Sequence, residues 1–337
     1  MHDDRLGWLD GLVVGVSDTM LVADPSATRQ LPRSARVLVS HAHADHTGGF
    51  RHRGLKQSTS ETRDIHYALR YDRIENFQAL GINQGITMDD VDILALDAGH
   101  MLGSAQFLIN TPSTSILYTG DINCVDTLTT KAAEPHECDI LVMEATYGAP
   151  QYKFPPREMV YAQMVQWALD TLKQGRVPCL HVYAAGKAQE VVKLFNVYTR
   201  LPVVVSPRLD GVNRACHNSG LSLDWFSAGS RDGKNILDRD PCVYLTTTND
   251  PVRIGRKHSR AYATGWALSR RWGITSFPLS SHADFDQLFS FVKACNPKKV
   301  YVFTGFAREF GRWVRSKVGL EARTIPSFIQ RTLGDDY

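Results

Sequence analysis

Three imidazoles and a carboxylate fall within six residues of Ser40-His41-Ala42-His43-Ala44-Asp45-His46-Thr47-Gly48-Gly49, directly after the apolar run Arg36–Ser40. Spaced by small alanines on a turn, these side chains converge on one point only if something positive sits there, and a metal ion is the simplest occupant. Neutral imidazole and carboxylate suit Zn²⁺, Mn²⁺ or Fe²⁺, and the absence of thiolate argues against a closed structural zinc site. A solvated histidine cluster would not need so restrictive a pattern as His-x-His-x-Asp-His followed by two glycines. Two more stretches set a polar residue after an apolar run: Leu96-Asp97-Ala98-Gly99-His100 and Leu117-Tyr118-Thr119-Gly120-Asp121. Alone, each reads as a turn; beside the histidine cluster, His100 and Asp121 become candidate ligands.

Such ligands need strands that end at them. Short Val-, Ile- and Leu-rich runs crowd the first half, at residues 11–16, 20–23, 36–40, 91–96, 105–110, 115–119 and 139–143, with one helical stretch at 61–71. Strands in succession with few helices predict an α+β layered sheet. From about Pro150 the rhythm becomes helix, strand, helix, strand (157–173, 178–183, 187–197, 202–205), which predicts a parallel sheet. Past Gly265 the pattern adds strands at 275–279 and 299–303 and helices at 285–294 and 307–318 to an earlier layer, so the middle reads as an insertion.

The 337 residues suit one large domain or two medium ones, and 43% hydrophobic with 22% charged residues excludes disordered and fibrous classes. No apolar run approaches the roughly 20 residues that a bilayer crossing needs, and the start lacks a secretory pattern, which points to the cytoplasm, or the nucleus in a eukaryote. Six scattered cysteines without a Cys-x-x-Cys predict reduced, structural thiols. Net charge is divided: −9 over residues 1–150 (11 basic, 20 acidic), +7 over 151–265 and +5 over 266–337. Carboxylates gathered around a cation and a separate face toward a polyanion would produce that division.

With these ligands the sequence resembles the metallo-β-lactamase superfamily, which implies an α/β (α+β) four-layer αββα fold with ligands on strand-end loops. By that resemblance His41, His43, His100 and Asp121 hold one metal, Asp45 and His46 belong to a second with Asp121 bridging, and Asp24 braces the histidine loop. Leu141-Val142-Met143-Glu144-Ala145-Thr146-Tyr147-Gly148 and Ser280-Ser281-His282-Ala283-Asp284 are similar to signature motifs of its nucleic-acid-cleaving β-CASP branch. The resemblance implies that His282 completes the second site and that Glu144 orients it, the usual arrangement of a carboxylate behind a ligating imidazole. It implies Zn²⁺, one ion or two, with Mn²⁺, Mg²⁺ or Fe²⁺ as alternatives at the second site. It also divides the chain into a metallo-β-lactamase part (1–148), an inserted α/β cap (149–265) and a returning part (266–337).

The implied substrate is nucleic acid, without a membrane or an evident obligate protein partner. Arg253, Arg256, Lys257 and Arg260 cluster before the turn Gly265-Trp266, where cations could hold phosphates while Trp266 packs on a base or sugar. Lys187, in Tyr183-Ala184-Ala185-Gly186-Lys187, opens a helix after a strand and is a candidate phosphate contact. Arg308, Arg312 and Arg315 recur at helical spacing. Thr304 stands where RNA-processing members commonly carry histidine, and Ala263-Thr264-Gly265-Trp266 resembles DNA-acting members. Ala98-Gly99-His100-Met101-Leu102-Gly103 and Glu144 look more like the RNA branch or the ligase-associated DNA exonucleases. DNA is favoured. The expected activity is a DNA 5′→3′ exonuclease on single-stranded or frayed 5′-phosphorylated ends, with structure-specific endonuclease action possible, in DNA repair. In it Asp45, His282 and Glu144 act at the reacting phosphate. The alternatives are an RNA 5′ exonuclease or endonuclease of the ribonuclease J type, a small-molecule hydrolase of the same superfamily, and a non-catalytic nucleic-acid-binding subunit.

Overall fold

Runs of branched residues broken by Gly, Asp or Ser favour short strands, because branched side chains pack on a pleated surface and the breakers supply turns. The computed structural model, which describes residues 5–252, 254–269 and 273–328, gathers them into three sheets. The first holds β1 (Arg5–Trp8), β2 (Leu12–Val16), β3 (Thr19–Ala23), β4 (Arg36–Leu38), β5 (Lys56–Ser58) and β6 (Phe77–Ala79), antiparallel as far as β3 and parallel beyond it. Helix α1 (Ser60–Arg70) separates β5 from β6 and starts at Thr59, whose side chain accepts the Thr62 N–H. The second sheet takes β7 (Gly85–Met88), β8 (Val91–Asp97), β9 (Ala105–Asn110) and β10 (Ser115–Tyr118), all antiparallel, and then β11 (Ile140–Met143), parallel to β10.

Next come α2 (Arg157–Lys173), β12 (Val177–His181), α3 (Lys187–Tyr198), β13 (Val203–Val205), α4 (Pro207–Asn218), β14 (Phe226–Ser227), α5 (Arg231–Arg239), β15 (Val243–Thr246), β16 (His258–Ala263) and β17 (Thr275–Phe277). Their strands form a third sheet, parallel throughout, in the order β14-β13-β15-β12-β16-β17. Then α6 (Phe285–Cys295), β18 (Lys299–Val302), α7 (Ala307–Val318) and β19 (Glu321–Thr324) return to the second sheet, with β18 beside β11 and β19 at its edge.

The first two sheets face each other across a dry layer that includes Leu12, Val14, Leu38, Phe107, Ile109 and Val142. Helices α6 and α7 cover the outer face of the second sheet through Leu288, Phe291, Phe310 and Val314. Beyond the first sheet, α1 meets its cover through His66 against Phe50 (4.7 Å) and Arg63 over Phe77 (5.1 Å). This is the α+β layered arrangement expected, with the parallel sheet inserted. Two points differ. The third sheet does not end at residue 265, because β17 pairs with β16; and residues 207–246, silent in the periodicity reading, hold α4, α5, β14 and β15. Among the described residues no helix is long and apolar enough to cross a membrane, and the six cysteines are unpaired.

Candidate metal centre

Every polar residue of the centre follows the carboxyl end of a strand: Asp24 after β3, His41 after β4, His100 after β8, Asp121 after β10, Glu144 after β11 and His282 after β17. The loops close on one another because glycines let backbones touch. A Cβ on Gly48 would lie 2.4 Å from the Pro25 and Ser26 carbonyl oxygens, and one on Gly120 (φ +53°) 2.8 Å from Ser40.

At the centre, His43 Nδ1 lies 3.2 Å from His41 Nε2 and 3.1 Å from His100 Nε2. Asp121 Oδ2 lies 3.4 Å from His41 Nε2, 3.6 Å from His46 Nε2 and 3.8 Å from His100 Nε2. The opposite nitrogen of each ring is already committed. His43 Nε2 faces the Ala185 carbonyl oxygen (3.3 Å) and His100 Nδ1 that of Ser281 (2.7 Å); carbonyls only accept, so these nitrogens carry the hydrogen. His46 Nδ1 donates to Asp24 Oδ2 (2.7 Å), and His41 Nδ1 faces Ser40 Oγ (3.0 Å), whose own hydrogen goes to Asp24. The lone pairs of His41, His43 and His100 therefore point inward, with His43 Nδ1 at 3.2 and 3.1 Å from the other two, close to the roughly 3.3 Å between ligands of a tetrahedral ion with metal–nitrogen bonds of about 2.0–2.1 Å. Lone pairs so arranged repel unless a cation lies between them. The donor set fits a divalent metal of the zinc type, with His41, His43, His100 and Asp121 as one group of ligands.

Titration agrees with that chemistry for His43 and His100, whereas at His46 burial is outweighed by Asp121 and Asp24, which raise it to about 10, so a metal there would have to displace its proton. Burial, and then neighbouring His41, takes His43 down to about 3, and burial among other imidazoles holds His100 well below its usual range, so both stay neutral as ligands must. Burial opposes ionisation of Asp121, but His46, His282 and His41 outweigh it and keep the carboxylate charged.

Asp24 is held as a brace, and with His41 and His46 it also forms a group close enough together to hold an ion. Its carboxylate already accepts the Ser40 N–H (2.7 Å), the Ser40 hydroxyl, His46 Nδ1 and the Tyr118 hydroxyl (3.0 Å). It holds this position in the left-handed backbone region (φ 48°), a conformation that persists where the surroundings over-determine it. On the other flank His282 Nδ1 meets Glu144 at 2.9 Å and stands 4.0 Å from Asp121, so Asp121, Glu144 and His282 form a second group. Glu144 is fully buried and also accepts the Ile122 N–H (2.8 Å), which leaves His282 Nε2 as the free ring nitrogen. Asp45 completes the centre from outside: its side chain is 79% exposed and reaches His46 Nε2 at 3.5 Å.

The centre opens on a cleft of about 790 Å³, whose far wall comes from the carboxyl ends of the third sheet. Lys187 and Trp266 lie in that wall. Lys187 is only 6% exposed, sits over the Tyr183 ring (4.7 Å), and has its ammonium pushed down to about 8 by burial, which Glu190 only partly offsets. Trp266 packs on Tyr147 (4.9 Å) and Tyr152 (5.5 Å), so one of its contributions is to join the cap to the loop after Glu144. Arg256, Lys257 and Arg260 do not line the cleft. Arg256 donates to the Asp240 carbonyl (2.9 Å), Lys257 is exposed beside it, and Arg260 lines a separate hollow of about 440 Å³ with Arg176 and His258. Arg253 lies outside the described residues. The reason is strand polarity: these residues lead into and run along β16, whereas the cleft is at its carboxyl end.

No residue signature marks the Ala185 and Ser281 carbonyls that orient His43 and His100, since any residue supplies a backbone acceptor. Ser40 and Tyr118 adjoin the motifs, and their hydroxyls could have been read as braces from that adjacency.

A buried, charged lysine without a carboxylate in hydrogen-bond contact costs stability. Its folded-state pKa is below the usual 10.5, so the cost is fully present below pH 8 and fades as pH rises from 8 to 10.5. Lys187→Met is therefore expected to stabilise the fold by about 2–3 kcal/mol at pH 7, and by much less at pH 10. Urea unfolding at both values checks this; a gain that grows with pH contradicts it.

Comparison with known proteins places these features. Residues 15–182 match the model of the beta-lactamase superfamily domain. The chain is 32% identical to a probable DNA ligase from Opitutus terrae over 308 residues, 89% of this chain and 29% of that protein. It is 31% identical to an RNase J-like protein from Methanocaldococcus jannaschii over 185 residues, 49% of this chain and 44% of that one. It thus spans less than half the length of either relative. A crystal structure of an Enterococcus faecalis protein of unknown function superposes with a TM-score of 0.67 over 98% of both chains at 13% identity, a likeness of fold.

Proposed function

The chain belongs to the metallo-β-lactamase superfamily, in its β-CASP branch, and from that premise we propose that it is a metal-dependent nuclease hydrolysing phosphodiester bonds. One observation carries the reading: a centre with inward lone pairs stands in the floor of a cleft of about 790 Å³ with a buried lysine in its opposite wall. A small-molecule hydrolase needs no such wall; a phosphate backbone does. Residues 149–265, continued to β17, act as the cap that closes the cleft over the 1–148 and returning parts.

A divalent ion, when bound, supplies Lewis-acid polarisation of a phosphoryl oxygen and an acidified water as nucleophile. His41, His43, His100 and Asp121 would hold one ion, and Asp45, His46, Asp121 and His282 a second; zinc is the choice that best matches the donors. Asp45, free on its outer side, orients the attacking water and takes up its proton. His282, steadied by Glu144, presents Nε2 toward the scissile group, either as a ligand or to protonate the departing oxygen. Lys187 meets charge that builds on the phosphate.

DNA is the favoured polymer, cut from a single-stranded or frayed 5′-phosphorylated end in the 5′→3′ direction, as a step in repair. Thr304 in the cleft wall and the 89% of the chain matched to a probable DNA ligase support this. The RNase J-like relative supports the second reading, an RNA 5′ nuclease. End-labelled single strands of identical sequence, differing only in sugar and 5′ phosphate, separate them. The expected result is at least about tenfold faster shortening of phosphorylated DNA; faster RNA cleavage reverses the assignment.

A further inference from the structure

The cleft has two chemically different walls. On the cap side Lys187 and Arg208, in the first turns of α3 and α4, face it with the polar Thr247–Asn249 turn that follows β15. On the opposite side stand Trp8 and Phe303, with Asp10 and Asp24 beside them and the exposed Asp45 near. Away from the metal centre, which itself takes the scissile phosphate, Lys187 and Arg208 draw the backbone and the exposed Asp10 repels it, so a strand lying in the cleft turns its bases toward Trp8.

Trp8 is built to receive one. It stacks on Phe303 at 5.3 Å with the ring planes 15° apart, and Phe303 packs on Tyr118 at 5.3 Å. Tyr118 binds Asp24, which binds His46, so the aromatic column stands on the brace of the metal centre. The backbone of Trp8 is pinned on both edges: it pairs with Leu12 on one side, while on the other its N–H donates to the Pro326 carbonyl (2.8 Å) and its carbonyl accepts the Phe328 N–H (2.9 Å). The indole is half-buried, packed on Phe303 and on the core between the first two sheets, and it lines the cleft. A rigid aromatic surface costs little ordering entropy and accepts the π-face of any base, which a paired base in a duplex cannot offer.

We propose that Trp8 is the stacking platform for an unpaired nucleobase of the substrate, with the backbone running along Lys187 and Arg208, and that this subsite selects single-stranded or frayed ends. The inference rests on the nuclease reading. Its test couples the side chain to the base. A 5′-phosphorylated phosphorothioate DNA single strand, with an abasic site moved one position at a time from the 5′ end, is titrated against wild type, Trp8→Phe and Trp8→Ala by fluorescence anisotropy. In wild type one abasic position should weaken binding about tenfold. Trp8→Phe should keep part of that penalty. Trp8→Ala should bind the intact strand about tenfold less tightly and show no penalty at that position. A merely structural Trp8 would weaken every ligand equally and preserve the abasic profile in Trp8→Ala, and that outcome overturns the platform while leaving cleavage standing. A wild type that binds no oligonucleotide overturns the nuclease reading and the platform with it.

Discussion

Alanine at Asp45 is expected to lower phosphodiester cleavage by about 10³-fold or more while leaving unfolding unchanged. The side chain is 79% exposed and its ion-pair contact is His46 at 3.5 Å, so its removal opens no cavity and strands no buried charge. Surface changes of that kind stay within about 0.5 kcal/mol. What the variant loses is the carboxylate that faces both the centre and the open cleft. A group that orients the nucleophile and contributes to the metal site accounts for several kcal/mol of barrier, and each 1.4 kcal/mol is about tenfold in rate. Single-turnover cleavage read beside urea unfolding checks both halves. Undiminished turnover removes Asp45 from the mechanism; a large loss of stability shows that the exposed side chain has a structural role that its contacts do not reveal.

The second large effect is on stability and concerns Arg157, the first residue of α2. Its guanidinium pairs with Glu190 at 2.6 Å and donates to the Ser280 carbonyl, while the Tyr161 hydroxyl also binds Glu190. The two side chains are 11% and 3% exposed. Arg157→Ala leaves the buried Glu190 with only the Tyr161 hydroxyl and the field of Lys187, which costs up to about 3–5 kcal/mol. It also frees the Ser280 carbonyl, one residue before the carbonyl that orients His100, so zinc affinity should fall by about 10- to 100-fold. Replacing both partners, Arg157→Met with Glu190→Met, removes the stranded charge and should recover most of the stability, because apolar pairs of similar volume often substitute for buried ion pairs. It should not recover zinc affinity, since nothing then holds Ser280. Urea unfolding of metal-free protein and competition against a zinc-binding dye separate the two effects. A single variant as stable as the double, or a double with wild-type affinity, contradicts this linkage between cap and centre.

Much of the centre's geometry was legible because its chemistry is concentrated in side chains of rare type: five histidines and Asp121 stand on strand-end loops, and Glu144 lies 2.9 Å from His282. The layered sheets were legible from branched residues with regular breakers. Other parts were hidden for identifiable reasons. Strands β5 and β6, Lys-Gln-Ser and Phe-Gln-Ala, carry little apolar pattern, so tertiary pairing makes them strands. Helix α5 is strongly polar and begins on a Ser230 cap that the apolar pattern does not mark. The basic residues 256–260 precede Trp266 in sequence, but a rise of about 3.3 Å per residue along β16 carries them away from the cleft. Trp8 and Phe303, nearly 300 residues apart in the chain, meet only because β1 and the segment after β18 edge the same cleft.

The nuclease reading requires that imidazoles from three loops and a shared carboxylate from a fourth gather a divalent ion in a groove wide enough for a polymer strand. It is tested most directly by following an end-labelled 5′-phosphorylated oligonucleotide with protein stripped of metal by a chelator, then titrated with Zn²⁺ or Mn²⁺ while bound metal is counted. The account predicts no shortening before addition and recovery that saturates at one or two ions per chain. Cleavage that persists undiminished with substoichiometric metal contradicts it.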